Sequence, residues 1–305
     1  MNSAFLISSI AWQGIRHSEA IRAVRVAGFG GVEILCKPGH FEYDNAEHVS
    51  EVQAALDDWP DAIVTFHAPF YGVDLASSDP DAWDHAMRET MRALEVASSI
   101  RAESMTVHVR SSEEVHGWIS ANLAAIQRAL EVESSLNAET MSAHGLGREE
   151  TGCWSPANLT AFRRALGQLA QASAEADITL AVENFPPPFF TSDEEELLRL
   201  LDEFPEHLVG ACIDTGHAHL GGRLADLARL LAPRTFVAHL HDNMARAKDE
   251  HLIPGRGTIP WGEFVEAMQG FRGQRVLEVN AVGTLAETLE SVKKAIVETG
   301  LSDLA

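Results

Sequence analysis

Eight runs of five to seven mostly apolar residues recur along the chain, at 4–10, 31–35, 62–67, 104–109, 178–183, 208–213, 235–240 and 275–279. Near-continuous apolar runs of this length are what strands buried on both faces look like. Segments with helical periodicity lie between them, and such alternation implies a parallel sheet. Eight units of roughly the ~30-residue βαβ length fill the chain. The reading that follows is α/β, a single (β/α)8 TIM barrel occupying residues 1–305. Length alone leans toward two domains, but one such barrel routinely takes up ~250 residues.

Local signals place several helices. One opens at Ser18 and closes at Gly28; another begins at Asp79-Pro80, with Trp83, Met87, Met91 and Leu94 at helical spacing. A third begins at Ser155-Pro156 and runs to about Ala176. Proline suits the first helical position, where its missing N–H costs nothing. Thr191 with Glu194, and Thr284 with Glu287, fit the capping box, in which a hydroxyl and a carboxylate satisfy first-turn amides. The rhythm breaks once, where about 68 residues separate the fourth and fifth runs. Residues 113–133 read as an extra helix and 134–154 as a polar, Gly-rich stretch. Together they predict an insertion at about 112–154, either a lid on the catalytic face or a surface excursion.

The chemistry is written at the ends of the runs. His67 closes IVTFH, His108 follows MTV, Glu183 closes LAVE, Asp214 closes ACID, His239 stands in FVAHL and Glu278 in VLEV. Strands closed into a barrel bring such ends together at one mouth, where barrel enzymes carry their active sites. Glu183, Asp214, His239 and Glu278 come from the fifth to eighth strands, and carboxylates mixed with imidazole suit Mn²⁺, Zn²⁺, Mg²⁺ or Co²⁺. Two like charges ~4 Å apart cost about 4 kcal/mol at an effective dielectric of 20. A divalent cation removes that repulsion; without one, at least one acid is expected to have a raised pKa. Singly, each residue has a plainer reading: a solvated glutamate, a turn at Asp214-Thr215-Gly216, a hydrogen-bonded core histidine at His239. The joint pattern is what points to a metal-dependent enzyme.

The formal charge of −22 narrows the partners. An acidic surface repels nucleic-acid backbones and anionic lipid, so neither is an expected partner. No run approaches the ~20 apolar residues of a membrane helix. Cys36, Cys153 and Cys212 are far apart and form no CxxC pair, which disfavours disulfide frameworks and thiolate metal sites and fits a reducing cytoplasm. MNSAFLISSIAW lacks a basic leader and reads as a buried strand. There is no GxSxG elbow, no GxxxxGK[ST] loop and no dinucleotide fingerprint.

Several fragments carry a resemblance: GFGGVEIL at 28–35, FHAP at 66–69, VENF at 182–185, DTGHAH at 214–219, HLHDN at 239–243, DEHLIPGRGTIPW at 249–261 and LEV at 277–279. In this order they resemble the xylose-isomerase-like TIM-barrel superfamily of sugar and sugar-phosphate isomerases and epimerases, dehydratases and endonuclease IV-like enzymes. The resemblance implies a metal held by Glu183, Asp214, His239 and Glu278, with Glu183 and Glu278 as the proton-moving pair. It implies substrate contacts from His217 and Arg256. Its endonuclease branch implies further metal or substrate ligands at His67, His108, His217, Asp249 and His251.

A mechanism follows on chemical grounds. A divalent ion gripping neighbouring oxygens of a hydroxy-carbonyl compound acidifies the adjacent C–H. Glu183 or Glu278 removes the proton, and the enediolate is stabilised by the ion. Return of the proton to the opposite face epimerises, to the neighbouring carbon isomerises, and loss of a β-hydroxyl dehydrates. The expected function is a divalent-metal-dependent sugar or sugar-phosphate isomerase or epimerase acting on a small carbohydrate. The alternatives are a zinc phosphoesterase of the endonuclease IV kind, a related lyase and a non-catalytic sugar-binding barrel. A homo-oligomer formed through outer helices is compatible with any of them.

Overall fold

A computed structural model describes residues 4–109, 155–187, 189–246 and 249–304. Eight strands form a closed parallel barrel in sequence order: β1 (Phe5–Ser8), β2 (Gly31–Leu35), β3 (Ile63–His67), β4 (Ser104–Val107), β5 (Thr179–Glu183), β6 (Val209–Asp214), β7 (Thr235–Leu240) and β8 (Gln274–Leu277). β1 pairs with both β2 and β8, which closes the ring. All eight predicted strands are present. The sequence-based insertion at about 112–154, with its extra helix, lies outside the described residues.

Side chains alternate across a strand with a period of two. Leu6, Ala181, Cys212, Val237 and Val276 form a small apolar cluster of their own, separate from the main core. Two residues beyond four of them stand Glu183, Asp214, His239 and Glu278. The same step leads from Thr65 to His67 and from Thr106 to His108. Strand period and barrel closure therefore aim these side chains at one axis, above a plug of small apolar groups. Register within the ring agrees: Asp214 lies opposite His239, and Glu183 opposite Cys212.

Helices wrap the outside: α1 (His17–Val26), α2 (Ala46–Asp57), α3 (Pro80–Ser99), α4 (Pro156–Glu175), α5 (Glu194–Leu201), α6 (Thr215–Leu220), α7 (Leu224–Leu231), α8 (Trp261–Ala267) and α9 (Leu285–Glu298). Asp79 and Ser155 cap α3 and α4, each followed by proline. Trp83, Met87 and Leu94 face the core as their spacing implies. Gly28 ends the turn after α1 at φ 84°, a region that favours glycine. None of the described helices is long and apolar enough to cross a membrane.

Two cap assignments need correction. Ser18 does not open α1, which starts at His17; the Ser18 hydroxyl donates to Glu51 Oε1 at 2.6 Å. Nor do Thr191 and Glu194 form a capping box. Asp193 caps α5, accepting from the amides of Glu195 and Glu196. A carboxylate one residue before the helix competes better for those amides, and Thr191 Oγ1 accepts the Phe185 amide instead, at 3.0 Å. The Thr284–Glu287 capping box at α9 is present.

Candidate metal centre

The C-terminal strand edges gather an unbroken patch of acids and imidazoles. His239 Nδ1 lies 3.0 Å from Glu278 Oε2, 3.8 Å from Glu183 Oε2 and 3.9 Å from Asp214 Oδ2. The four residues read from separate strands thus converge on one nitrogen, and all are buried. The other ring nitrogen, Nε2, is 3.0 Å from Glu33 Oε2. A carboxylate only accepts, so Nε2 carries the hydrogen and Nδ1 is left as the electron-pair donor. His239 Nδ1 makes no hydrogen bond despite full burial. A buried nitrogen ringed by three carboxylates could hold a metal ion, and a histidine–carboxylate pair behind such a nitrogen is the usual outer support of a metal ligand.

Three more imidazoles are oriented in the same way. His67 Nδ1 is 3.0 Å from the Ala68 carbonyl, His217 Nδ1 is 3.0 Å from the Asn184 carbonyl, and His251 Nδ1 is 2.9 Å from the Glu278 carbonyl. Each backbone oxygen accepts a hydrogen from Nδ1, which leaves Nε2 as the position for either a cation or a second proton. Those nitrogens point at carboxylates: His67 Nε2 is 3.4 Å from Glu183, while His217 Nε2 and His251 Nε2 lie 3.4 and 2.9 Å from Asp249 Oδ2. His108 Nε2 is 2.8 Å from Glu183 Oε2 and 3.0 Å from His67 Nε2. Electron pairs facing electron pairs are tolerable only with a cation or extra protons between them. Ligand atoms of His67, Glu183 and His239, of Glu183, Asp214 and His217, of Asp214, His241 and Glu278, and of His241, Asp249 and His251 each lie within 4.8 Å of one another. The donor set therefore fits divalent cations, and more than one.

Without a cation, protons carry out the neutralisation. Burial pulls the His239 imidazolium down, but Cys212, Glu33 and Glu278 outweigh it and hold its pKa well above the ordinary value. Burial is likewise outweighed at His217 by Asp214, Asp249 and Glu183, and at His67 by Glu183. His251 is raised to about 9, Asp249 and Glu278 overcoming burial. For His108 burial wins and lowers the pKa. Burial raises the acids less than the imidazoles depress them: His108, His217 and His67 hold Glu183 well below the carboxylate range, and His239 does the same for Glu278. The expectation of a raised carboxylate is thus corrected. It counted only the acids, whereas the histidines between them reverse the sign.

Four residues that the sequence reading passed over hold this arrangement in place. Glu33, fully buried on β2, supports His239. Asn184 accepts the Asp214 amide at 2.7 Å and donates to the Asp214 carbonyl. His241 reaches both oxygens of Asp214, at 3.0 and 2.9 Å. Asp242 accepts from Gly255, Ile259 and the Trp261 indole, which ties the PGRGTIPW segment to the end of β7. A Cβ at Gly257 would lie 2.3 Å from Asp242 Oδ1, so this glycine is required for that approach. A charged residue inside an apolar strand run was the available signal for Glu33, and spacing by two from His239 was the signal for His241.

Above the cluster opens a pocket of about 190 Å³ lined by His67, His108, Glu183, His217, His251 and Glu278, with Phe70, Tyr71 and Phe185 as its apolar wall. Phe185 stacks on His217 at 4.7 Å and meets His108 edge-on at 4.6 Å. Phe66 and Trp12, also near the strand ends, are buried in the core. Arg256 is exposed and is not among the side chains lining this pocket.

Residues 115–296 match the family model described as xylose isomerase-like TIM barrel. The chain belongs to that family. An uncharacterised protein of Mycobacterium tuberculosis is 32% identical over 136 residues, 37% of this chain and 49% of that protein. A D-psicose 3-epimerase of Enterocloster bolteae is 28% identical over 116 residues, 36% of each chain. The chain thus spans about half the length of the first of these curated relatives. Among solved structures, a D-tagatose 3-epimerase-like protein superposes with a TM-score of 0.72 at 19% identity, over 98% of this chain and 99% of the other. The IOLI protein with a bound zinc atom superposes with a TM-score of 0.68 at 13% identity, over 97% of each chain. At these identities the superpositions establish the barrel fold.

Proposed function

We propose that this protein is a divalent-metal-dependent isomerase or epimerase of a small sugar or sugar phosphate. The observation that carries the reading is the convergence of Glu183, Asp214 and Glu278 on His239 Nδ1, directly beneath a pocket that the two glutamates also line. Glu183, Asp214, His239 and Glu278 would hold the ion, which when bound supplies Lewis-acid polarisation of carbonyl and hydroxyl oxygens. Glu183 and Glu278 approach the pocket from different strands, so one can take a proton from carbon and the other return it. His217 lies at the pocket wall, placed to hydrogen-bond a substrate oxygen. Phe70 and Phe185 shield the carbanionic charge from water. At about 190 Å³ the pocket lies below the ~300–1,000 Å³ of drug-sized sites, which favours a monosaccharide-scale ligand. The epimerase names among the relatives support the same reaction class.

The test is solvent-deuterium incorporation into a panel of ketoses, aldoses and their phosphates, followed by NMR with and without added Mn²⁺. Metal-dependent incorporation at the carbon next to the carbonyl is the expected result. No incorporation across the panel rejects proton transfer.

A second reading, a multinuclear phosphoesterase, is favoured by the ligands beyond the first four. His67 and His108 converge on Glu183, while His217 and His251 converge on Asp249. Hydrolysis of a phosphomonoester or abasic-site substrate by zinc-loaded protein, with no deuterium exchange into sugars, would select it.

A further inference from the structure

Resting on the proposed action on sugars, we propose that the substrate is a neutral glycoside: the inner pocket takes the reacting ring, and a second sugar ring occupies an adjoining pocket. That outer pocket has a volume of about 370 Å³, and Lys37 and Tyr71 line both it and the inner one. Its other walls include Tyr43, Asp44, His85 and Glu89. They come from the loops that follow β2 and β3 and from α3, so the outer pocket opens at the same strand ends as the metal cluster. At about 190 Å³ the inner pocket is smaller than the ~300–1,000 Å³ typical of ligand sites, whereas the outer one falls within that range.

The shared walls are built from defined local structure. The Lys37 amide donates to the Phe41 carbonyl and the His40 amide to the Lys37 carbonyl, each at 3.0 Å, with Gly39 at φ 71° in the turn. Phe41 is fully buried and edge-on to Phe66, which anchors that turn to β3. The Lys37 ammonium donates to Gln13 Oε1 at 2.9 Å. Tyr71 is 54% exposed; its ring centre lies 4.4 Å from that of Phe70, which stands 5.4 Å from the His67 ring. An aromatic pair thus runs from the metal cluster to the outer pocket. Tyrosine offers an apolar face to the C–H face of a sugar ring and a hydroxyl to its oxygens. The polar groups suit a polyol. The Tyr43 hydroxyl donates to Glu89 and keeps lone pairs for substrate hydroxyls, while the Asp44 carboxylate accepts from them. Glu42 joins Asp44 and Glu89 on the wall, so a phosphate would meet three carboxylates against the single ammonium of Lys37. Like charges at such range repel, which disfavours a sugar phosphate there.

The probes are ketose disaccharides joined through O3, O4 or O6 of the fructose unit (turanose, lactulose and isomaltulose), set against D-fructose, fructose 1-phosphate and fructose 6-phosphate. Calorimetry on the Mn²⁺-loaded full chain gives their dissociation constants. Two net hydrogen bonds to a second ring predict that at least one disaccharide binds about 10-fold tighter than D-fructose. Asp44→Ala and Glu89→Ala, with circular dichroism checking the fold, should each lower that ratio about 5-fold through one lost acceptor. The inference is overturned when no disaccharide outbinds D-fructose, when a fructose phosphate outbinds every disaccharide, or when neither variant lowers the ratio. A crystal structure of the wild-type chain with the tightest disaccharide covers the case of a misfolded variant. A second ring against Tyr71 and Glu89 supports the site, and a second ring outside the outer pocket overturns it. Deuterium exchange into the same sugars separates this inference from the proposed function. Exchange into D-fructose with no disaccharide advantage sinks the outer site alone. A disaccharide advantage with no exchange into any sugar sinks the proposed reaction and leaves the outer site standing.

Discussion

Glu33 offers the sharpest test of how the centre is built, because it touches the implied ion only through another side chain. Its carboxylate is fully buried on β2 and lies 3.0 Å from His239 Nε2, with Thr65 Oγ1 donating to it at 3.4 Å. If His239 Nδ1 ligates a divalent ion, the carboxylate stands ~7 Å from that ion across the ring. Coulomb attraction at an effective dielectric of 20 then sets a ceiling of about 5 kcal/mol. The real contribution falls well below this, because Glu33 also repels Glu183, Asp214 and Glu278, and removing it relaxes that repulsion. Outer-sphere partners of metal-binding histidines typically contribute 10–100-fold in affinity, or roughly 1.4–2.7 kcal/mol. Glu33→Gln preserves an acceptor for Nε2–H and removes the charge, so about 10-fold weaker binding is expected. Glu33→Ala removes both and frees the ring, and about 100-fold is expected. Competition against a chromophoric chelator measures both constants, with circular dichroism checking the fold. Unchanged or tighter binding in Glu33→Ala would refute the claim that His239 is a ligand held by Glu33.

Three further predictions rest on particular residues. In stripped protein, His67, His217, His239 and His251 have raised pKa values, so their stabilisation is complete below the unfolded value near 6.5 and is lost as pH rises through the folded value, about 9 for His251. Glu183 and Glu278, whose values are lowered, contribute above about pH 4.5 and lose that contribution on acidification, while buried His17, His40 and His108 resist protonation below about 6.5. The stripped protein should therefore melt highest around pH 6 and lower at pH 9, whereas zinc-loaded protein should show no such decline; equal melting of stripped protein at both pH values contradicts this. Asp193→Ala should cost about 1 kcal/mol in urea denaturation through loss of the α5 cap, and Thr191→Ala about 1–3 kcal/mol because the buried Phe185 amide loses its acceptor. A neutral Asp193→Ala would return the capping role to Thr191.

The barrel was legible because its strands are buried on both faces and therefore apolar without interruption, and because helices must intervene between parallel neighbours. The eight ranges read from sequence coincide with β1–β8 to within a few residues at each end. Caps were harder to read. Ser18, Thr191 and Asp193 all have the chemistry of an N-cap, and which one serves depends on partners distant in sequence. Ser18 goes to Glu51 and Thr191 to the Phe185 amide. A local pattern cannot register that competition.

The site divides along the same line. Glu183, Asp214, His239 and Glu278 were visible because each interrupts or ends an apolar strand, and barrel closure does the rest. What the residue list could not supply was the sign of the electrostatics. Read as three acids with one histidine, the centre predicts a protonated carboxylate. Read with His67, His217, His239 and His251 folded against those acids, it predicts ionised Glu183 and Glu278 beside charged imidazoles, while burial pulls His108 the other way. That difference has a functional consequence. Proton-filled ligands must be emptied before a cation can enter, so ion uptake should release protons and strengthen as pH rises from about 6 toward 9. Calorimetry of zinc binding in two buffers of different ionisation enthalpy reads the proton count directly. Release of at least one proton per ion at pH 7 is expected. Uptake with no proton release would mean that the imidazoles already stand neutral beside ionised carboxylates, and the charge arrangement derived from their geometry would be wrong.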